Sequence, residues 1–212
     1  MQRRKIILIG GGGHCKACID VIEQTAAFEI CGLLDRSDLV GTRVLGYSII
    51  GTDEDITSYR DQGYAFLVTV GQIKTPAVRM RLFAQLKACK AELPYVISPS
   101  AYVSPHAKIG EGTIVMHQAV INADVRIGEN CIINTGAAVD HESVIGDHTH
   151  LSTFSVTNGN CSIGDQVFVG SHATIANGIR IKRCSVVGAG AVIIKNIDHS
   201  GTYVGNPARK VS

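Results

Sequence analysis

Two stretches of the chain hold residue types whose spacing suits chemistry. In the first, Gly10-Gly11-Gly12-Gly13-His14 leads directly from an apolar stretch, Lys5-Ile6-Ile7-Leu8-Ile9, into a helical one, His14 to Gln24. Backbone N–H groups at a glycine turn that opens a helix face outward with no side chain in the way. The helix N-terminus adds partial positive charge, so phosphate is the natural ligand. Cys15 stands where the dinucleotide fingerprint begun by Gly10 and Gly12 needs its third glycine, so NAD is not indicated. A tight turn without a ligand is the alternative for this loop taken alone. The second stretch is His141-Glu142. An imidazole exchanges a proton near neutral pH, and an adjacent carboxylate can orient it and stabilise its charged form. An ordinary surface histidine is the alternative, since the chain has 8. Cys15-x-x-Cys18 sits at a helix start, which can lower a thiol pKa, but no thioredoxin-like context follows. The histidines are scattered and form no metal-ligand spacing with carboxylates, so no metal is expected.

Positioning such groups requires a scaffold, and composition bounds it. The 212 residues are 45% hydrophobic and 18% charged, enough apolar surface for a globular fold. A net charge of +2 with 5% aromatics and no Trp gives no basic, aromatic stripe for nucleic acid. No apolar run approaches the length of a membrane span, and 7 cysteines fit reduced thiols, so a cytoplasmic protein is expected. Glycine, at 23 residues, is the one excess, and it accompanies a period of six. From Val103 to Ile193, fifteen of the sixteen positions spaced by six are Ile, Val or Leu, the exception being Thr157 beside Asn158-Gly159-Asn160. Four residues after most of them comes a small or β-branched residue, as at Ala107, Thr113, Ala119, Cys131, Ala137, Ser143 and Cys161. This is the hexapeptide signature of a parallel β-helix. The lapse at Thr157, next to a glycine turn, invites a functional reading.

The first part of the chain reads differently. Lys5 to Ile9 is a buried strand, His14 to Gln24 a helix, Glu29 to Leu34 a strand ending at Asp35, and Asp53 to Arg60 a short helix. Phe66 to Val70 is a third strand and Pro76 to Lys90 a second long helix. Alternating strands and helices imply a small parallel sheet, a Rossmann-like α/β domain. Three segments are expected: 1–95, the α/β domain; 96–195, the β-helix; and 196–212, a C-terminal tail.

The order of these parts resembles a known family. A short α/β domain beginning Ile-Gly-Gly-Gly-Gly-His, hexads containing Asn134-Thr135-Gly136-Ala137-Ala138-Val139-Asp140-His141-Glu142, and a Gly205-Asn206-Pro207-Ala208 tail are similar to the sialic-acid O-acetyltransferases and nucleotide-aminosugar N-acetyltransferases, within the hexapeptide-repeat acyltransferases. The resemblance implies a left-handed β-helix whose coils take three hexads, a handedness opposite to the usual crossover preference. It implies acetyl-CoA as co-substrate and a homotrimer with sites between subunits. The acceptor it implies is the 4-amine of a nucleotide-linked 4-amino-4,6-dideoxyhexose in surface-glycan synthesis. A sialic-acid hydroxyl is the alternative acceptor, and a non-catalytic trimeric scaffold that binds sugar nucleotides is a second alternative.

The same resemblance assigns residues. His141 would be the base and Glu142 its orienting carboxylate, and Gly159, one coil of 18 residues further on, would present a backbone N–H to the oxyanion. Gly10, Gly12, Gly13 and His14, with Asp35 and Arg36 at the second strand's end, would hold the acceptor's nucleotide; Cys15 stands where many relatives have glycine. Asn134 and His150 would contribute to the acetyl or acceptor site, His150 half a coil from His141 and so facing elsewhere within one chain. For coenzyme A the candidates are Gly159, Gly170, Ser171, Gly188, Ala189, Lys195 and Arg209. Residues 178–212 hold six basic side chains against Asp198 alone, a local excess suited to phosphates.

Overall fold

A computed structural model describes residues 3–73 and 75–212. The chain forms two compact units, one ending at Val96 and the other beginning at Ile97.

In the first unit, β1 (Arg4–Ile9), α1 (Gly13–Thr25), β2 (Phe28–Leu34), β3 (Arg43–Val44), β4 (Tyr47–Gly51), α2 (Ile56–Asp61), β5 (Ala65–Val68) and α3 (Ala77–Ala88) follow in order. The sheet order is β3-β4-β2-β1-β5, parallel except for the β3/β4 hairpin. Ile6, Ile7, Leu8, Leu33, Leu34, Phe66 and Leu67 are wholly buried in it, which is why these strands read as continuous apolar runs. The chain builds outward from β1 through β2 to β4, then returns to the other side of β1 as β5. The order therefore reverses between β1 and β5, where the glycine loop emerges. Open α/β sheets bind ligands at such a switch point. The hairpin escapes sequence reading because its turn, Leu45-Gly46, places a leucine at φ 47 where Asn or Asp is the usual signal.

The second unit is a left-handed parallel β-helix. Sixteen two-residue strands, from Tyr102–Val103 to Val192–Ile193, each end on a residue of the hexad series. Each strand pairs with the one 18 residues on, as Ala138 with Val156 and Val139 with Thr157, so three hexads close one coil. One face stacks the strands ending at Val103, Ile121, Val139, Thr157, Ile175 and Ile193. A second stacks those ending at Ile109, Ile127, Ile145, Ile163 and Ile181, and the third carries those ending at Val115, Ile133, Leu151, Val169 and Val187. The series residues from Val115 to Ile193 and the small residues four places after them line the interior. At the corners the fourth hexad residue takes a left-handed conformation, with φ 54 to 60 at Asn130, Glu142, His148, Phe154, Asn160, Gln166, His172 and Cys184. Second-place glycines answer to close stacking: a Cβ on Gly170 would lie 2.5 Å from the backbone nitrogen of Ala189. Among the described residues, no helix is long and apolar enough to cross a membrane.

Thr157 takes the interior place its aliphatic counterparts take, between Val139 and Ile175, and is wholly buried. Its side chain therefore does not reach the outer surface near Gly159, which removes the functional reading of that lapse. Its hydroxyl finds no hydrogen-bond partner. Thr157→Val, which fills the same volume without the stranded polar atom, should raise stability by about 1 kcal/mol, or about 2–4 °C in Tm. Calorimetry checks this; a loss of stability would show that the hydroxyl is satisfied.

Candidate active site

One corner of the prism follows the face that ends at Val139, Thr157, Ile175 and Ile193. The third hexad place there holds His141, Gly159, Asn177 and Lys195 in four successive coils. Parallel pairing stacks these turns about 4.8 Å apart. The structure thus brings His141 and Gly159 together: a Cβ on Gly159 would lie 2.6 Å from His141 Cε1 and 2.7 Å from Nε2. The imidazole occupies the space a side chain at 159 would need.

The ring is oriented by its neighbours. Nδ1 lies 3.0 Å from Glu142 Oε2. A carboxylate only accepts, so Nδ1 carries a proton, and in the neutral ring the lone pair is on Nε2. Glu142 is in the left-handed conformation, φ 60, and this corner geometry sets its side chain beside the ring. Both side chains are more than half exposed, 53% for His141 and 62% for Glu142. Asp140, which sequence reasoning missed, accepts from the His141 N–H at 2.8 Å and from Asn122 Nδ2 at 2.8 Å, with its other oxygen 4.0 Å from Nε2. These donors hold the Asp140 carboxyl below its usual range, so it stays anionic. Its only sequence signal was adjacency to His141. The Gly159 N–H finds no acceptor among the described residues.

The other candidates fall into separate groups. Asn134 Nδ2 lies 3.1 Å from His150 Nε2, and His150, buried on the third face, meets Phe168 edge to face at 5.2 Å. His150 is thus on a different face from the His141 corner. Gly170, Ser171, Gly188 and Ala189 lie in turns leaving the third face, on a corner other than that of His141. There Ser171 Oγ is 3.0 Å from Ser152 Oγ. Lys195 and Arg209 line one cavity of about 210 Å³ with Asn196, Tyr203 and Lys210. Arg180, Lys182 and Arg183 line a separate, wider groove of about 570 Å³ with Asp165 and Asp198.

In the first unit the glycine loop is held from below. Gly10, at φ 100, donates to the Leu34 carbonyl at 2.8 Å and packs against Val70. Gly11, absent from the candidates drawn from sequence, donates to Asp35 Oδ2 at 2.5 Å, while Asp35 Oδ1 accepts from the Arg36 N–H at 2.7 Å. Asp35 therefore braces the loop with both oxygens. Gly12 and Gly13 face open space, and α1 starts there with no side-chain cap and no acid in its first turn. That leaves the end suited to an anion. His14 sits against Gly71. Arg36 is exposed and lies 3.4 Å from Asp38. Cys15 is buried against the sheet side of α1, so it does not line the open side of the loop. Among the described residues, no group of three or more His, Cys, Asp or Glu could hold a metal ion.

Comparison with known proteins places these features in context. Residues 5–86 match the family model described as the PglD N-terminal domain, and residues 106–141 and 142–177 match bacterial transferase hexapeptide (six repeats). The crystal structure of PerB from Caulobacter crescentus, in complex with CoA and GDP-perosamine, is 34% identical with a TM-score of 0.90, covering 98% of this chain and 97% of that one. The acetyltransferase domain of PglB from Neisseria gonorrhoeae, in complex with acetyl coenzyme A, is 30% identical with a TM-score of 0.90, covering 99% of this chain and 100% of that one. UDP-N-acetylbacillosamine N-acetyltransferase of Bacillus subtilis is 36% identical over 116 residues, 53% of this chain and 51% of that protein. The match to an uncharacterised mimivirus protein, L142, covers 21% of its length, so the chain spans about half or less of these curated relatives.

The thiols beside the glycine loop are chemically quiet. Burial pushes the Cys15 thiol up to about 11 and raises that of Cys18 as well. Native protein at pH 8 should titrate with Ellman's reagent first at exposed Cys184, with Cys15 and Cys18 reacting only on unfolding. The neutral Cys15 thiol is favoured by the fold, so its contribution is complete below pH 9 and declines as pH rises from 9 toward 11. Rapid closure of a Cys15–Cys18 disulfide in native protein would contradict this.

Proposed function

The chain belongs to the nucleotide-aminosugar N-acetyltransferase family of hexapeptide-repeat acyltransferases, and from that premise we propose that it moves an acetyl group from acetyl-CoA to the 4-amine of a nucleotide-linked 4-amino-4,6-dideoxyhexose, in surface-glycan synthesis. The observation that carries this reading is the packing of the His141 ring on Gly159, with Nδ1 held on Glu142 and the Gly159 N–H unspent.

The chemistry follows from these groups. A sugar amine is mostly ammonium at neutral pH, so the attacking species is the minority neutral form, its first proton lost to solvent. As its lone pair bonds to the thioester carbon, His141 Nε2 takes a second proton and Glu142 stabilises the resulting imidazolium. The carbonyl electron pair moves to oxygen, where the Gly159 N–H donates to it. Collapse breaks the C–S bond, and the imidazolium returns its proton to the departing thiolate. The products are the acetamide and free coenzyme A.

Coenzyme A would lie along the ridge from Gly159 past Asn177 to Lys195, two coils or about 10 Å further on. Lys195, Arg209 and Lys210 at that end suit its phosphates. Gly170, Ser171, Gly188 and Ala189 are on another corner, so a second copy of the chain is needed to set them against this ridge. A homotrimer with sites between neighbouring prisms satisfies that need, the Asn134–His150 pair contributing from its own face. In the first unit, Gly12, Gly13 and His14 would seat the nucleotide phosphates, Gly10 and Asp35 would shape the loop, and Arg36 at its rim adds positive charge. Seven free cysteines fit a reducing, cytoplasmic setting.

The test is incubation with acetyl-CoA and a panel of GDP-, UDP- and dTDP-linked 4-aminosugars beside free and CMP-linked sialic acid, following thiol release and locating the acetyl by mass spectrometry. Transfer to a nucleotide-linked amine is expected; acetylation of sialic acid alone would overturn the amine reading. His141→Ala should lower kcat about 10²–10⁴-fold with coenzyme A affinity within about twofold of wild type, and unchanged turnover would remove the base assignment. His14→Ala should raise KM for the nucleotide sugar about tenfold with KM for acetyl-CoA little changed, about 1.4 kcal/mol of lost binding; the reverse pattern would reassign the first unit.

A further inference from the structure

The turn that carries Gly159 has almost every backbone group engaged. The Asn158 N–H and side-chain amide both donate to the Ile175 carbonyl, at 3.1 and 2.7 Å. The Gly159 carbonyl accepts from Gly178 at 3.0 Å, and the Asn160 N–H donates to the His141 carbonyl at 2.9 Å. The remaining carbonyl, that of Asn158, accepts from Ser143 Oγ at 3.0 Å, and the Ser143 hydroxyl in turn accepts from the Cys161 N–H at 3.1 Å. Ser143 is wholly buried inside the prism. In a trans peptide the C=O and N–H point in opposite directions. A carbonyl of Asn158 drawn inward to Ser143 therefore turns the N–H of the same peptide, that of Gly159, outward toward His141.

We propose that Ser143 is a positioning residue for acetyl transfer: its hydroxyl clamps the Asn158–Gly159 peptide from inside the coil and so aims the Gly159 N–H at the oxyanion. The proposal rests on the reading of Gly159 as the oxyanion donor. A hydrogen bond accepted by a peptide carbonyl also polarises its N–H, so the clamp strengthens the donor it aims. Without the hydroxyl, the Asn158 carbonyl would be left without a partner in an apolar interior, and rotating the peptide would turn a carbonyl dipole toward the forming negative charge.

The fold supplies its own control. Thr113 stands at the same hexad place on another corner, where its hydroxyl donates to the Gly128 carbonyl at 2.8 Å and accepts from the Cys131 N–H at 2.9 Å. There the corresponding N–H, that of Glu129, is taken by Asp147 Oδ1 at 2.8 Å. The clamp is thus a general device of the coil, and at Ser143 alone does it present the Gly159 N–H.

The experiment uses the full chain with Ser143→Ala, Ser143→Thr and Thr113→Val. Ser143→Ala should lower kcat about 10–100-fold with KM for acetyl-CoA within about twofold, because a transition-state donor is lost and ground-state binding is not. Ser143→Thr keeps the hydroxyl in the form the coil uses at Thr113 and should recover kcat to within about threefold of wild type. Thr113→Val should lower Tm comparably to Ser143→Ala while leaving kcat intact. Wild-type kcat in Ser143→Ala, or an equal loss in Thr113→Val, would overturn the clamp. Crystal structures of the variants decide the point without reference to activity: a 158–159 peptide unmoved in Ser143→Ala overturns it, and a rotated one supports it. A wild-type chain that acetylates no acceptor would instead unseat the acetyl-transfer reading, leaving the crystallographic comparison to decide the clamp.

Discussion

Closure of the 18-residue coil is the constraint on which the second unit depends. Strand-to-strand hydrogen bonds at about 4.8 Å spacing leave room inside each coil for one branched residue per hexad and one small or β-branched residue four places after it. The same closure forces a left-handed residue at the fourth place of most corners and bare glycine where successive backbones meet, as at Gly170. The third place carries none of these duties. It points outward and recurs at the same corner one strand spacing further on. A histidine at 141 and a glycine at 159 are therefore stacked by the fold, and the chemistry proposed for them uses a place that does not fill the interior.

This division explains what could be read beforehand. The interior series and the 18-residue relation between His141 and Gly159 are one-dimensional patterns, so the stacked ridge was visible from spacing once the coil length was assumed. The Leu45-Gly46 hairpin was hidden because tertiary packing holds a leucine in a conformation its type disfavours. Thr157 misled for the opposite reason: its polarity suggested a site, while its place in the series had already committed it to the interior. The places of Asp140 and Ser143 beside the proposed site were invisible because what they make there are directional hydrogen bonds, which depend on which way a peptide or side chain points. Residue type and spacing do not carry that information.

The first unit shows a similar separation between what shapes a site and what touches a ligand. Asp35, read as a contact for the nucleotide, has both oxygens engaged by backbone N–H groups of Gly11 and Arg36. Its carboxylate fixes the loop whose outer amides, at Gly12 and Gly13, stay open. Thr69, at the end of β5, adds hydrogen bonds to the carbonyls of Ile9 and Gly10 at 3.0 and 2.6 Å, so the loop is tied to both strands that flank the switch point. A loop braced in this way would bind an anion without the entropic cost of first ordering itself.

On the prism, the two groups proposed for catalysis also determine each other. The imidazole can lie flat on the next coil only because position 159 has no Cβ, and position 159 can expose its N–H to a substrate only because no side chain covers it. Any residue other than glycine at 159 would displace the His141 ring from its place beside Glu142, so one added carbon would disturb all three groups of the proposed site. The requirement for glycine at this place is thus stereochemical on the outer face of the coil, whereas at Gly170 it comes from the stacked backbone of the next coil.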